Sequence, residues 1–167
     1  DKERVRVLEH FYQSMLTYIR RHPHLEKVIL FLTEYCPYIT FIIYPCILFD
    51  LWYTHNPYLI DAILRPCIAF ILVTIFRKVV NRPRPYDYMD IKPLKGHKHG
   101  ESFPSRHSVS ACIIALICFY ANVYVGIFAC IIALIVSLTR ILSGVHHISD
   151  VFVAIIIAIL CFIIDFH

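Results

Sequence analysis

The chain has 167 residues, of which 59% are hydrophobic and only 17% charged, with a net charge of +4. Soluble domains run at about 45–50% apolar and about 25% charged residues, so an ordinary water-soluble enzyme is excluded and a membrane protein is implied. Ser108 to Thr139 holds no Asp, Glu, Lys or Arg, and Val151 to Ile164 is apolar throughout; a spanning helix needs roughly 20 mostly apolar residues. Without a repeat, linker or low-complexity tract, residues 1–167 read as one all-α domain, an integral membrane helical bundle. No basic-then-apolar stretch with a small-residue cleavage site is present, so no removable signal peptide is expected. Seven cysteines form no C-x-x-C pair and fall mostly in apolar stretches, where a thiol packs as a small hydrophobe.

In chain order, residues 3–22 mix Val5, Val7, Leu8, Phe11, Tyr12, Met15, Leu16 and Ile19 with Arg4, Arg6, Glu9, Arg20 and Arg21. That pattern predicts an amphipathic helix lying on the membrane. Leu25 to Tyr35 predicts a second short interfacial helix, with Pro37 breaking the chain before the first span; the alternative is a longer, kinked span from near Val28. Residues 1–35 are thus expected at the interface and 37–167 in the transmembrane core. Spans are expected at 37–54, 59–80, 106–121, 124–142 and 148–166, five in all and possibly six. Connections around His55-Asn56-Pro57 and Asn122-Val123 are very short, so the helices they join are antiparallel neighbours.

Residues 81–105 differ from the rest: they form a polar loop rich in Pro, Lys and His. From Arg77 to His107 there are eight Lys/Arg (77, 78, 82, 84, 92, 95, 98, 106) and three acids (87, 90, 101), a net of +5 that exceeds the +4 of the whole chain. Such a concentration focuses an anion, either phosphate or a lipid headgroup.

The proposed topology brings three polar clusters to one membrane face. Arg77-Lys78-Val79-Val80-Asn81-Arg82-Pro83-Arg84-Pro85 ends the second span. Its guanidinium groups suit bidentate phosphate binding, although basic residues also flank spans simply to anchor them. Pro104-Ser105-Arg106-His107 opens the third span, where first-turn N–H groups are free for an anion. A histidine there can protonate a leaving oxygen or can merely sit at the interface. Arg140 ends the fourth span, and His146 and Asp150 sit at i and i+4 near the start of the fifth, on one helix face. A carboxylate on one ring nitrogen leaves the other free as nucleophile or base; a helix cap with a simple His–Asp pair has the same appearance.

Together the clusters resemble the type 2 phosphatidic acid phosphatase (PAP2) family, whose signature is K-x6-R-P, P-S-G-H and S-R-x5-H-x3-D. The corresponding strings here are R-x6-R-P (Arg77 to Pro85), P-S-R-H (Pro104 to His107) and T-R-x5-H-x3-D (Thr139 to Asp150). The resemblance implies a bacterial membrane lipid phosphatase. His146 would be the nucleophile forming a phosphohistidine, Asp150 would orient it, and His107 would protonate the leaving oxygen and then assist water. Phosphate-binding positions fall on Arg77, with Lys78 as a substitute, and on Arg84, Ser105, Arg106 and Arg140. No metal and no cofactor is implied. Arg77 stands in the lysine slot, Arg106 replaces glycine and Thr139 replaces serine, so none of the departures removes a catalytic group.

Sites at helix ends in a membrane favour a substrate whose tail stays in lipid: undecaprenyl diphosphate, phosphatidylglycerol phosphate or phosphatidic acid. Extra charge from Arg106, Lys92, Lys95 and Lys98 makes the diphosphate attractive. The expected location is a bacterial inner membrane with the site at the outer face, although the positive-inside rule points the other way. A nucleic-acid partner is not expected, and the oligomeric state is left open. His147 is read as a neighbour of the site, His97 and His99 as solvated loop residues, and Arg65 as a structural residue paired with Asp61 or Asp50. A haloperoxidase-like enzyme and a catalytically silent lipid-binding protein are the rival readings.

Overall fold

In hydrocarbon a backbone must satisfy its own hydrogen bonds, and every apolar run of this chain becomes a helix. The computed structural model describes residues 2–96 and 98–164. Among them the helices are α1 (Lys2–Arg21), α2 (Pro23–Tyr53), α3 (Leu59–Val80), α4 (Pro85–Tyr88), α5 (Arg106–Cys118), α6 (Val123–Leu142) and α7 (Ile148–Ile163). His97 and the last two residues of the expected fifth span, 165 and 166, lie outside the described residues. α5 is the hub and packs against α2, α3, α6 and α7. Its Val109, Ala111, Ile113, Ala115 and Ile117 are buried, as a helix apolar on all sides must be. Asn122 separates α5 from α6 by accepting the N–H groups of Tyr124 and Val125 on its side chain, at 2.8 and 3.4 Å, a standard N-cap.

The expected break at Pro37 does not occur. α2 runs unbroken for 31 residues with Pro37 and Pro45 inside it. A proline within a helix strips the hydrogen bond from the carbonyl four residues earlier, and that carbonyl, Thr33 O, is taken at 2.7 Å by Arg140 of α6. The same repair appears in α3: Pro66 leaves Ala62 O free, and the Tyr44 hydroxyl donates to it at 3.0 Å. Tertiary contacts thus rescue two helices that local propensity would break. At about 1.5 Å per residue α2 is roughly 46 Å long, well beyond the ~30 Å hydrocarbon layer. Its first third therefore reaches past the core to the level of the polar loops.

α2, α3 and α6 are long and apolar enough to cross a membrane, while α5 and α7 are shorter apolar helices. α5 gains one tighter turn, since Phe119, Tyr120 and Ala121 donate backbone N–H bonds to Leu116, Ile117 and Cys118. One end of the bundle is closed by the stacked rings of Tyr58, Tyr120 and Phe162. There Arg65 pairs with Asp61 at 3.5 Å and caps α7 by donating to Cys161 O (3.4 Å), Ile164 O (3.0 Å) and Phe162 O, which satisfies carbonyls that a helix end leaves open.

Candidate active site

At the opposite end the three polar clusters meet. Arg77, in the last turn of α3, donates to Pro104 O at 3.1 Å. Ser105, the residue before α5, donates its backbone N–H to Asp150 O of α7 at 3.1 Å. Arg84, in the loop after α3, donates to Gly100 O at 3.1 Å and to Val145 O at 3.3 Å. Sequence separations of 16 to 61 residues are closed by these contacts.

His146 and Asp150 form the buried centre, at 3% and 0% exposure. His146 Nδ1 lies 3.4 Å from Asp150 Oδ2, which directs Nε2 away from the carboxylate. Asp150 Oδ2 also accepts the Ser102 hydroxyl and, at 3.0 Å, the His147 N–H, the latter capping α7. Its Oδ1 accepts Arg82 Nη1 at 2.8 Å, and the same nitrogen reaches Ser149 Oγ at 2.8 Å. The helix cap and the His–Asp pair are therefore one device, because a single carboxylate performs both. Burial pushes the His146 imidazole down to about 4, aided by the charges of Arg84 and Arg77 and opposed by Asp150. The ring is neutral at ordinary pH, with its lone pair available on Nε2.

In front of His146 lies a cavity of about 420 Å³ whose wall includes His107, Arg77, Arg84, Arg106 and Arg140. Lys95 and Lys98 complete its rim, and among the described residues Glu34 is its one carboxylate. The rim lysines are ion-paired, Lys95 with Glu34 at 3.0 Å and Lys98 with Glu101 at 2.6 Å; the bond from Lys98 holds the Glu101 carboxyl below its usual range. The inner arginines are held differently: Arg77, Arg84 and Arg140 donate to backbone carbonyls. Among the described residues the buried Nε atoms of Arg77 and Arg140 find no hydrogen-bond partner. Buried cations held only by neutral groups are costly, and an anion in the cavity removes the cost. The first-turn N–H groups of α5 at Arg106 and His107 have no intrahelical acceptor by position, and they add donors of the kind a bound anion takes.

The expected residues do not all face this cavity. Lys78 is exposed and is not part of its wall, since one residue turns a helix by about 100°; Arg77 is therefore the residue in the lysine slot that faces the site. Ser105 is fully buried and accepts the Ser108 hydroxyl at 2.9 Å, behind the wall rather than on it. Lys95 and Lys98 reach the rim, while Lys92 only offers its carbonyl to Arg20 of α1. Two residues went unassigned in the sequence: Arg82 and Ser102, both on Asp150. Arg82 lies inside the basic string that ends the second span and Ser102 inside the polar loop 81–105, but their pairing depends on the path of the loop. His147 stays beside the site, stacked on Tyr88 at 5.9 Å and 3.3 Å from Pro83 O. His99 is exposed against Asp87 at 2.6 Å.

Residues 58–167 match the family model described as the PAP2 superfamily. The chain belongs to the PAP2 superfamily. As a PAP2 protein it is a member of a phosphatase family and a multi-pass membrane protein. It is 25% identical over 140 residues to undecaprenyl-diphosphatase BcrC of Bacillus subtilis (strain 168), covering 81% of this chain and 70% of that one. Among solved structures it is similar to Aquifex aeolicus LpxE, with a TM-score of 0.73, 25% identity and coverage of 92% and 91% of the two chains. The first transmembrane PAP2 type phosphatidylglycerolphosphate phosphatase from Bacillus subtilis shares the fold, with a TM-score of 0.64, 23% identity and coverage of 96% and 90%. The family match begins after α2, so α1 and α2 lie outside the matched segment.

Proposed function

We propose that this PAP2 protein is a metal-independent lipid phosphatase that uses His146 as nucleophile and takes an isoprenyl diphosphate such as undecaprenyl diphosphate. The observation that carries the lipid part is the neighbour of the cationic cavity. A second cavity of about 510 Å³, lined mostly by apolar side chains of α2, α3 and α5, shares Pro37, Phe41, Arg106 and His107 with the first. Charge beside a hydrocarbon groove matches a molecule with a phosphate head and an apolar tail. The diphosphate part rests on the two tiers of charge. Arg77, Arg84 and Arg140 suit the phosphate under attack; Lys95, Lys98 and Arg106 suit a second one, which would displace Glu34 and Glu101 from the lysines. The undecaprenyl-diphosphatase named above adds weight to that choice.

In this reading Asp150 and Ser102 hold Nδ1, and His146 Nε2 attacks the terminal phosphorus. The bond from phosphorus to the bridging oxygen breaks, and His107 gives that oxygen its proton. The arginines and the α5 N–H groups bear the charge on the equatorial oxygens. His107 then takes a proton from water as it attacks the phosphohistidine, which frees His146 and releases inorganic phosphate. None of these steps calls on a metal. The long α2 and the interfacial α1 would place the site at headgroup level, with the outer face of a bacterial inner membrane as its setting.

The test is phosphate release from undecaprenyl diphosphate, phosphatidylglycerol phosphate and phosphatidic acid, with chelator present, by wild type and His146→Ala. Fastest release from the diphosphate, abolished by the substitution, is expected. Preference for phosphatidic acid would move the substrate to a glycerolipid monophosphate, and no release from any lipid would favour a silent lipid binder.

A further inference from the structure

α1 carries two apolar stripes. Val7, Phe11 and Tyr18 are exposed, whereas Tyr12, Leu16 and Ile19 are 0%, 1% and 2% exposed; at about 100° per residue the stripes lie roughly 130° apart. An amphipathic helix resting on lipid needs only the first stripe; the second is buried in protein, with Tyr12 and Leu16 against the turn that carries His146.

In that turn, Ser143 to His147, the N–H groups of Ser143, Gly144 and Val145 bond back to Thr139 O, Ile141 O and Arg140 O at 3.0, 2.9 and 3.3 Å. The His146 N–H lies 3.3 Å from Arg140 O, and the α7 ladder begins only with the carbonyl of His147. The His146 carbonyl is therefore left to tertiary partners, and the buried Tyr12 hydroxyl donates to it at 3.0 Å. Burial, with the Asp150 charge next, pushes this hydroxyl up to about 12, so it remains a donor. Leu16 closes over the same turn: Gly144 has φ +74°, and a Cβ there would stand 3.3 Å from Leu16 Cδ1. α1 is in turn tied to the loop before α5. Gln13 donates to Asp90 O and Asp90 N–H donates to Glu9, both at 2.9 Å, and Arg20 donates to Pro93 O at 3.3 Å. Leu94 of this loop donates back to Ser143 O at 3.0 Å, which closes a ring of contacts around the turn.

We infer that Tyr12 is a positioning residue for the nucleophile and that α1 is the strap that carries it. The inference rests on the reading of His146 as nucleophile. Rotation of the peptide after His146 would swing its ring relative to Asp150, whose contact at 3.4 Å has no slack. A misplacement of about 1 Å can lower a rate by about 10²-fold.

The test uses the full chain in lipid vesicles and compares Tyr12→Phe, Ile19→Ala and His146→Ala with wild type. The readouts are the single-turnover rate constant for phosphate release and the affinity for inorganic phosphate, a ground-state ligand of the arginine cradle. A rate constant reports only molecules that turn over, so a reduced folded fraction does not mimic the effect. Tyr12→Phe is expected to lower the constant by about tenfold, on the positioning argument, with phosphate affinity within about twofold of wild type. Ile19→Ala, a control for general loosening of α1, is expected to leave the constant within about twofold. A Tyr12→Phe constant within twofold of wild type overturns the inference, as does an equal loss in Ile19→Ala or a parallel loss of phosphate affinity. If Tyr12→Phe does not fold, Leu16→Val takes its place: a threefold fall supports the strap and no change overturns it. Release retained by His146→Ala sinks the nucleophile reading itself, whatever Tyr12→Phe does.

Discussion

Substitution of Asp150 by Asn separates the electrostatics of the pair from its shape. Every neighbour of this carboxylate is a donor: Ser102, the His147 N–H and His146 on Oδ2, and Arg82 on Oδ1. An amide has one acceptor oxygen, so whichever way Asn is placed its NH2 faces a donor. If the NH2 lies toward Oδ2, it meets the His147 N–H and removes the acceptor that fixes the His146 tautomer. If it lies toward Oδ1, it meets the Arg82 guanidinium. Loss of a charge-assisted hydrogen bond costs about 1.5–3 kcal/mol and a buried unsatisfied donor about 1–3 kcal/mol. The barrier rise is thus about 2.5–6 kcal/mol, or roughly 10²- to 10⁴-fold in rate at 1.36 kcal/mol per decade. Single-turnover phosphate release measures it, with binding of inorganic phosphate as a check that the arginine cradle survives. A rate within threefold of wild type would refute the role given to Asp150.

Arg82→Ala removes one bond to the same carboxylate. Because Arg82 is about one-third exposed and its charge is partly screened by water, the expected fall in the single-turnover rate is about three- to tenfold. A loss equal to that of Asp150→Asn would contradict the ranking. Pro37→Ala restores an N–H that competes with Arg140 for Thr33 O; α2 should become more stable, while vanadate binding should weaken several-fold as Arg140 loses its anchor. Unchanged vanadate affinity would show that the anchor is irrelevant. His146 should remain neutral at pH 5.5 in the folded protein, because burial holds it near 4 against about 6.5 when unfolded. Between these values the unfolded chain binds more protons, so the contribution of His146 to stability is present above about 6.5 and is lost as pH falls through about 4. Histidine-labelled NMR reads the state directly, and an imidazolium signature for His146 at pH 5.5 would contradict it.

Much of this arrangement was legible in the sequence because its logic is topological. Uncharged runs and two very short connections force the ends of α3, α5 and α6 that carry Arg77, His107 and Arg140, and the turn before α7 that carries His146, to one face, whatever the exact span boundaries. What stayed hidden depends on tertiary partners. Pro37 reads locally either as a helix break or as a kink in a longer span; the Arg140 bond to Thr33 O that lets α2 continue joins residues 107 positions apart. The choice between Arg77 and Lys78 turns on helix phase, which a boundary uncertain by several residues cannot fix. Arg82 and Ser102 acquire their partner only once the loop between α3 and α5 folds back over α7. Tyr12 carries no polar signal among the apolar residues of α1, and its hydroxyl acquires meaning only against the His146 carbonyl.

The central claim is that phosphorus passes through a covalent bond to His146. A lipid diphosphate labelled in its terminal phosphate, mixed with the protein in chelator and quenched within a turnover under alkaline conditions, should leave label on the chain as an acid-labile phosphohistidine. The label should map to the peptide containing His146, and it should be lost in His146→Ala while accumulating if water attack is slowed in His107→Ala. Label on another residue, or phosphate release at the wild-type rate from His146→Ala, would contradict the account.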